Sequence, residues 1–235
     1  LRLRRDAVME PRTCPTCAFP VERRVWDVDR ELLIPCKCRC STLDSRRSEC
    51  FPVPEMASQT FAADDGKFGQ DVVEKCRKYA DKLPGLHSGL LLFGPPDSGK
   101  TFLSCCIANA ALEKGMRVLM RSMPWVLSRR YGDVADTIEE LGRAELLVLD
   151  DLGAERETDY GREIVYSVID TRYQSRRPTV ISTNLTRTEL AAPDDMACRR
   201  TYSRVLEMCL PLEVDTGRRR STRERYADMA KEFGW

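Results

Sequence analysis

The strongest constraint on this chain is a short apolar run that leads into a glycine-bracketed loop and out again into a helix. Leu90-Leu-Leu-Phe93 offers no polar position to alternate with, so as a strand it must be covered on both faces. That is the condition of a parallel sheet wrapped by helices. Gly94-Pro-Pro-Asp-Ser-Gly-Lys100-Thr101 follows and fits G-x-x-x-x-G-K-[ST]. Beyond it Phe102, Leu103, Ile107, Ala110 and Ala111 share one side of a helix that Lys114-Gly115 stops. Strand, loop and helix in that order aim backbone N–H groups and a helix N-terminus at one point, which suits the β- and γ-phosphates of a nucleotide. Gly94, Pro95, Pro96, Asp97, Ser98, Gly99, Lys100, Thr101 and Phe102 are therefore the expected nucleotide-binding residues. Lys100 sets a charge against the phosphates and the Thr101 hydroxyl is available to Mg²⁺. Asp97 occupies a position where a small residue is common; aspartate tolerates left-handed backbone, and its carboxylate is expected to point outward.

Further strands are read at Arg117-Val-Leu-Met120, Leu146-Leu-Val-Leu149, Thr179-Val-Ile-Ser182 and from Leu210 to Val214. Helices are expected near Trp125–Tyr131, Asp136–Leu141, Asp159–Ser175 and Thr186–Leu190. Asp71-Val-Val-Glu74 reads as a capping box opening a helix that runs to about Lys82. The alternation predicts an α/β fold built on a parallel sheet. At 235 residues the chain suits one core-bearing domain with a small appendage. Residues 1–50 form a cysteine-rich module, 51–70 a linker carrying the extended Phe51-Pro-Val-Pro-Glu55, and 71–235 the α/β domain.

Two polar strand ends supply the rest of the expected chemistry. Leu146–Leu149 runs into Asp150-Asp151 at the carboxyl end of a central strand, where open α/β sheets bind ligands. Asp150 is placed to hold Mg²⁺ through water, and Asp151 to orient or deprotonate the attacking water. Thr179–Thr183 ends in Asn184, which can reach between the γ-phosphate and that water. Together these predict a Mg-dependent nucleotide-hydrolysing motor or switch rather than a small-molecule kinase. The single histidine, His87, nearly excludes metabolic catalysis resting on histidine.

Cysteine usage is uneven. Cys14, Cys17, Cys36, Cys38, Cys40 and Cys50 crowd the front, out of 11 in all. Leu1–Asp6 has no apolar core like that of a signal peptide, and no apolar run approaches the ~20 residues needed to cross a bilayer. A cytoplasmic protein without membrane association is therefore expected, and in a reducing compartment clustered thiols point to metal rather than disulfides. Cys14-Pro-Thr-Cys17 reads as one half of a structural Zn²⁺ site. Cys36, Cys38 and Cys40 compete for the other two places, with Cys36 and Cys38 favoured. Lys+Arg 38 against Asp+Glu 37 leaves nucleic-acid binding to local patches. One candidate is Trp125-Val-Leu-Ser-Arg129-Arg130-Tyr131, which reads equally as a single-stranded DNA contact or as a half-buried Trp beside a solvated basic face.

With these residues in place the chain resembles the AAA+ ATPases, and within them the DnaC-type replicative helicase loaders, with IstB-type transposition helper ATPases close by. The stretches that carry it are Thr60–Gly66, Gly94–Thr101, Leu146–Gly153, Ile169–Tyr173, Ser182–Thr186, Arg204–Cys209 and Gly217–Arg220. The resemblance implies a sheet in the order 5-1-4-3-2, no helical lid domain, and ATP held between self-associating subunits. It also implies hydrolysis of ATP to ADP and phosphate, with an arginine supplied in trans to the γ-phosphate, best matched by Arg204, and with Arg199 and Arg200 as local competitors. Phe61 would edge the adenine pocket. The front module would grip a hexameric replicative helicase, loaded onto single-stranded DNA by a chain of phage or prophage type. Two alternatives stay open: an IstB-like transposition helper, and a nucleotide-binding zinc adaptor with little turnover.

Overall fold

The computed structural model describes residues 12–13, 20–21, 39–64, 66, 69–129, 131–153, 158–193, 195–215 and 230–231. Five strands form one sheet: β1 Gly89–Phe93, β2 Val118–Ser122, β3 Leu146–Leu152, β4 Thr179–Thr183 and β5 Cys209–Glu213. The order across it is β2-β3-β4-β1-β5, with every pairing parallel. This is the expected 5-1-4-3-2 order read from the other edge.

The wholly apolar strand sequences bury two cores at once, because side chains alternate across a strand. Leu90, Leu92, Met120, Leu146, Val148 and Val180 face one layer, whereas Leu91, Phe93, Leu119, Leu147, Leu149 and Ile181 face the other. On the first side lie α2 Gln70–Lys82 and α3 Lys100–Glu113. On the second lie α4 Met123–Leu127, α5 Val134–Arg143, α6 Asp159–Ser175 and α8 Met196–Met208. A short helix, α7 Arg187–Ala191, opens with a full capping box between Thr186 and Glu189.

Three local expectations need correction. Asp71 does not cap α2: the N-cap is Gly69, and the Asp71 carboxylate instead pairs with Lys75 at 2.6 Å one turn on. The helix expected near Trp125–Tyr131 is shorter, ending at Leu127 and followed by a 3₁₀ turn over Tyr131–Asp133. The helix that carries Arg204 was not read as an element; Tyr202 and Val205 bury its inner face.

Ahead of the sheet, α1 Arg39–Cys50 lies inside the stretch read as the cysteine-rich module and packs on the α/β core. Cys50 is fully buried. Arg47 donates through Nε to Asn109 Oδ1 at 3.0 Å and pairs with Glu113 at 3.2 Å. Asn109, buried in α3, donates in turn to the carbonyls of Met56 and Gln59. One amide side chain thus ties both the helix and the segment after it to the body of α3. Earlier still, Arg12–Thr13 and Pro20–Val21 pair antiparallel, bracketing Cys14 and Cys17 in sequence. Cys14, Cys17, Cys36 and Cys38 lie outside the described residues, as does the Cys40 side chain. Most of the chain beyond Asp215, on which the expected absence of a lid rests, lies outside them too.

A buried arginine closes the amino end of the sheet. Arg172 of α6 is 1% exposed and donates to five acceptors. These are Thr179 Oγ1, Pro178 O, Leu141 O, Gly142 O and Ala144 O, at 2.7–3.2 Å. It therefore joins the end of α5 to the starts of β3 and β4. Burial draws its pKa down to about 10, the neighbouring Arg177 charge adding to the effect.

Candidate functional site: the phosphate loop and the acidic strand end

The loop between β1 and α3 has the backbone that its sequence demands. Gly94 sits at φ 150° against the Val214 carbonyl, where a Cβ would lie 2.4 Å from the oxygen. Gly99 caps α3 from the left-handed region at φ 96°. Asp97 also adopts left-handed backbone, at φ 63°, and is exposed. Lys100 is the first residue of α3 and only 5% exposed. Its ammonium folds back over the loop and donates to Pro95 O at 2.7 Å, Gly94 O at 3.0 Å and Ser98 Oγ at 3.3 Å. Desolvation lowers its pKa, opposed by the charges of Asp151, Asp150 and Asp97.

Next to it, Thr101 Oγ1 donates to Asp150, 3.1 Å from Oδ2 and 3.3 Å from Oδ1. Asp150 also accepts a short hydrogen bond from Ser182 Oγ, and Ser182 Oγ accepts from the Asp151 backbone N–H at 3.1 Å. The register explains this convergence. Leu149 pairs with Ile181 and Leu152 with Thr183, so β3 carries one more residue than β4 across the acidic end. That bulge puts Asp151 at φ 58° and leaves Asp150 turned toward the loop, 7% exposed. Burial raises the Asp150 pKa, and the Asp151 charge adds to it. The hydrogen bonds from Ser182 and Thr101 and the Lys100 charge pull it back.

Lys100, Thr101, Asp150 and Asp151 are thus gathered at the carboxyl end of the sheet. Asn184 follows Thr183, which pairs with Phe93, so it emerges at the same end and is exposed. Phe61 and Phe102 are partly buried against the core on the α3 side, and the Arg77 guanidinium lies 5.0 Å from the Phe61 ring centre. Arg204 is not in this group. It sits on α8, on the opposite face of the sheet from α3, paired with Asp170 of α6 at 2.6 Å. Arg199 and Arg200 are exposed on the same helix. Trp125 is half-buried between two guanidiniums, Arg121 at 5.2 Å and Arg129 at 5.0 Å. Arg130 lies outside the described residues.

Ser182 is the site residue that sequence reading passed over. A hydroxyl inside Thr179-Val-Ile-Ser-Thr183, next to the strand that ends in two acids, was the available signal. The donor set suits Mg²⁺: a carboxylate and a hydroxyl, both hard oxygens, beside the loop where phosphates would complete the shell. Ser182→Ala removes a group that holds Asp150 in its charged form. We expect Mg²⁺ affinity in the nucleotide complex to fall about 10-fold, the usual cost of losing a partner that orients a ligand. Asp150 then protonates at a still higher pH, so acid should weaken Mg-nucleotide binding earlier in the variant. Magnesium titrations at two pH values check both expectations.

A family model for the IstB-like ATP binding protein matches residues 86–227, more than half of the chain. The chain belongs to the IstB-like ATP-binding protein family. Among curated relatives, this IstB-like chain is 29% identical to the replicative helicase loader DnaC of Escherichia coli K12 over 121 residues, 48% of this chain and 49% of that one. It is 28% identical to the replicative helicase loader DnaI of Bacillus subtilis over 166 residues, 64% and 53% of the two chains. A putative insertion sequence ATP-binding protein of Sinorhizobium fredii is 34% identical over 102 residues, covering 41% and 34%. The chain spans about half the length of the helicase loaders it matches. The fold is shared with crystal structures of DnaI (TM-score 0.59, 21% identity, covering 72% of this chain and 96% of that one) and of the DnaC helicase loader (0.59, 24%, 69% and 100%). It is shared too with the replication initiator DnaA bound to AMPPCP and single-stranded DNA (0.58, 19%, 78% and 57%). The five-stranded parallel sheet is that of the P-loop AAA+ fold.

Proposed function

We propose that this chain is an ATP-hydrolysing loader of a replicative DNA helicase, of phage or prophage type. The observation that carries the ATPase half is the hydrogen-bonded run Thr101–Asp150–Ser182 beside Lys100, at the mouth of the loop. Lys100 and the loop N–H groups would hold the β- and γ-phosphates, and Thr101 and Asp150 would hold Mg²⁺, which supplies charge to offset that building up on the transferred phosphoryl. Asp151 would orient or deprotonate the attacking water, with Asn184 beside the γ-phosphate. Phe61 would edge the adenine. Arg204, on the far face, would serve a neighbouring subunit's nucleotide, so the ATP interface would also be the surface of self-association. Support for the loading half comes from the kinship with DnaC and DnaI.

The front segment would bind Zn²⁺ through Cys14 and Cys17 with two of Cys36, Cys38 and Cys40, and would contact the hexameric helicase. Trp125, stacked with Arg121 and Arg129, would meet single-stranded DNA, where a ring and phosphate-binding cations act together. In this reading the protein works in the cytoplasm. Among the described residues no helix is long and apolar enough to cross a membrane.

Arg204→Ala should leave Mg-ATP affinity unchanged while lowering turnover about 10³-fold, the low end of what an arginine finger contributes. Phosphate release beside a binding titration checks this, and normal turnover would move the role elsewhere. A second reading, an IstB-like transposition helper, draws on the family itself and on the 34% identity to an insertion sequence protein. It shares the ATPase chemistry and differs in partner. Co-purification with a replicative helicase supports the first reading, and with a transposase the second.

A further inference from the structure

Arg204 does not project freely from α8. Its guanidinium lies 4.5 Å from the ring centre of Tyr166 and 5.5 Å from that of Tyr173, both on α6. Nη1 meets the Asp170 carboxylate at 2.6 Å, and the side chains of the pair are only 27% and 22% exposed. Tyr173 is fixed in turn, donating from its hydroxyl to Glu207 Oε2 at 2.8 Å. Tyr166, Asp170 and Tyr173 recur at spacings of four and three, so they form one stripe on α6. Two rings and an ion-paired carboxylate therefore restrict the guanidinium, the Nη1–Oδ1 contact being an ion pair outside hydrogen-bond geometry. The same Arg204 lines an open groove of about 390 Å³ together with Arg199, Arg200, Ser203 and Glu207, whose carboxylate accepts from the Tyr173 and Ser203 hydroxyls.

A free arginine carries many rotamers, and ordering one when it engages a ligand has an entropic cost. Here that ordering is done inside the subunit. A guanidinium has five N–H donors, and one carboxylate contact leaves others for an anion entering the groove. The rings do not compete for the charge as a second carboxylate would, since cation–π attraction leaves the edge of the guanidinium available.

We propose that Asp170, with Tyr166 and Tyr173, is a positioning residue for the trans-acting Arg204, presetting its guanidinium for the phosphates of a neighbouring subunit. This rests on the reading of Arg204 given above. Asp170 touches no nucleotide itself. Its effect passes through the arginine, so the loss of Asp170 lowers the rate at a neighbour's site and leaves its own phosphate loop intact.

The test is phosphate release by mixtures of full-length chains in Mg-ATP. Arg204→Ala supplies an intact phosphate loop without the arginine, and Lys100→Ala supplies the arginine without a working loop. Each alone is expected to be inactive and the mixture active. Repeating the mixture with Lys100→Ala/Asp170→Asn as arginine donor should lower the plateau rate about 10-fold or more, the scale expected when a reacting group is misplaced. The donor concentration giving half the plateau should stay unchanged, and Lys100→Ala/Asp170→Glu should restore part of the rate. An equal plateau with the Asp170→Asn donor overturns the positioning role, as does a change in the half-saturating concentration alone. No recovery with either donor overturns the trans assignment of Arg204 itself, a separate outcome. Asp170→Asn in an otherwise unaltered chain should bind Mg-ATP like the parent. Loss of that binding would make the residue a general structural support and would also overturn the proposal.

Discussion

Lys100→Ala is expected to weaken Mg-ATP binding by about 100-fold, roughly 3 kcal/mol, the cost of removing a charged donor from a phosphate it would serve. The basis is geometric. The ammonium is the first charge of α3, almost fully buried, and lies across the loop within 2.7–3.3 Å of Gly94 O, Pro95 O and Ser98 Oγ. Those contacts set the charge over the loop where the phosphates are expected. The variant should remain folded, because the Lys100 charge is not something the fold gains from. Its depressed pKa means that the folded chain binds this proton less tightly than the unfolded chain does. The charge therefore works against folding at pH values below the folded pKa, and the penalty is relieved as pH rises through it. Retained helicity with lost affinity is the expected pair of results, read by circular dichroism and a fluorescent ATP analogue. Unchanged affinity would remove the loop from the account of binding.

The second large effect falls on stability. Arg172→Met removes donors from Thr179 Oγ1 and four backbone carbonyls, those of Leu141, Gly142, Ala144 and Pro178, all at the amino end of the sheet. The methionine fills much of the volume but leaves buried acceptors such as the Leu141 and Ala144 carbonyls without the donor they had, each costing on the order of 1–3 kcal/mol, whereas Gly142 O keeps Arg177 Nη1 and Pro178 O keeps the Leu147 N–H. Water entering the cleft beside His87 and Arg177 would recover part of this. The net expectation is a loss of about 3 kcal/mol, or a fall in melting temperature of roughly 6–12 °C for a chain of this size. Thermal unfolding checks it, and a shift under about 2 °C would mean that the carbonyls find other donors. Nucleotide affinity of the folded variant should stay near the parent value, since Arg172 lies at the end of the sheet opposite the phosphate loop.

These two residues also mark what could be read from the amino-acid sequence. Lys100 was legible because its role is local: a strand of four apolar residues, two glycines and a helix start lie within a dozen positions. The strand order followed from the resemblance, and the alternation of apolar runs with helical spacing made the parallel sheet legible from the residues alone. Arg172 was not legible as a core residue, because it stands in the polar run Asp170-Thr-Arg172, and its acceptors come from two segments distant in sequence, 141–144 and 178–179. Ser182 failed for the same reason. Its hydrogen bonds to Asp150 and Asp151 depend on an extra residue in β3 opposite β4, which no spacing within either strand reveals. Asp71 and Glu74 misled because acids in the first turns of a helix serve equally as partners of lysines one turn on, here Lys75 and Lys78. The first helix, Arg39–Cys50, anchors on the core through Leu43 and Cys50 among its described side chains and holds to α3 through Arg47 and Asn109, a polar attachment that hydrophobic periodicity does not register.

One titration bears most directly on the claim that a magnesium–triphosphate sits at the tip of this sheet. Calorimetry of the full chain with ATP, run with Mg²⁺ and again with the metal chelated, gives stoichiometry and metal dependence together. One saturable site per chain is expected, bound distinctly more tightly with Mg²⁺ than without, through Thr101 and Asp150. Heats that never saturate, or an affinity indifferent to Mg²⁺ in the parent chain, would contradict it.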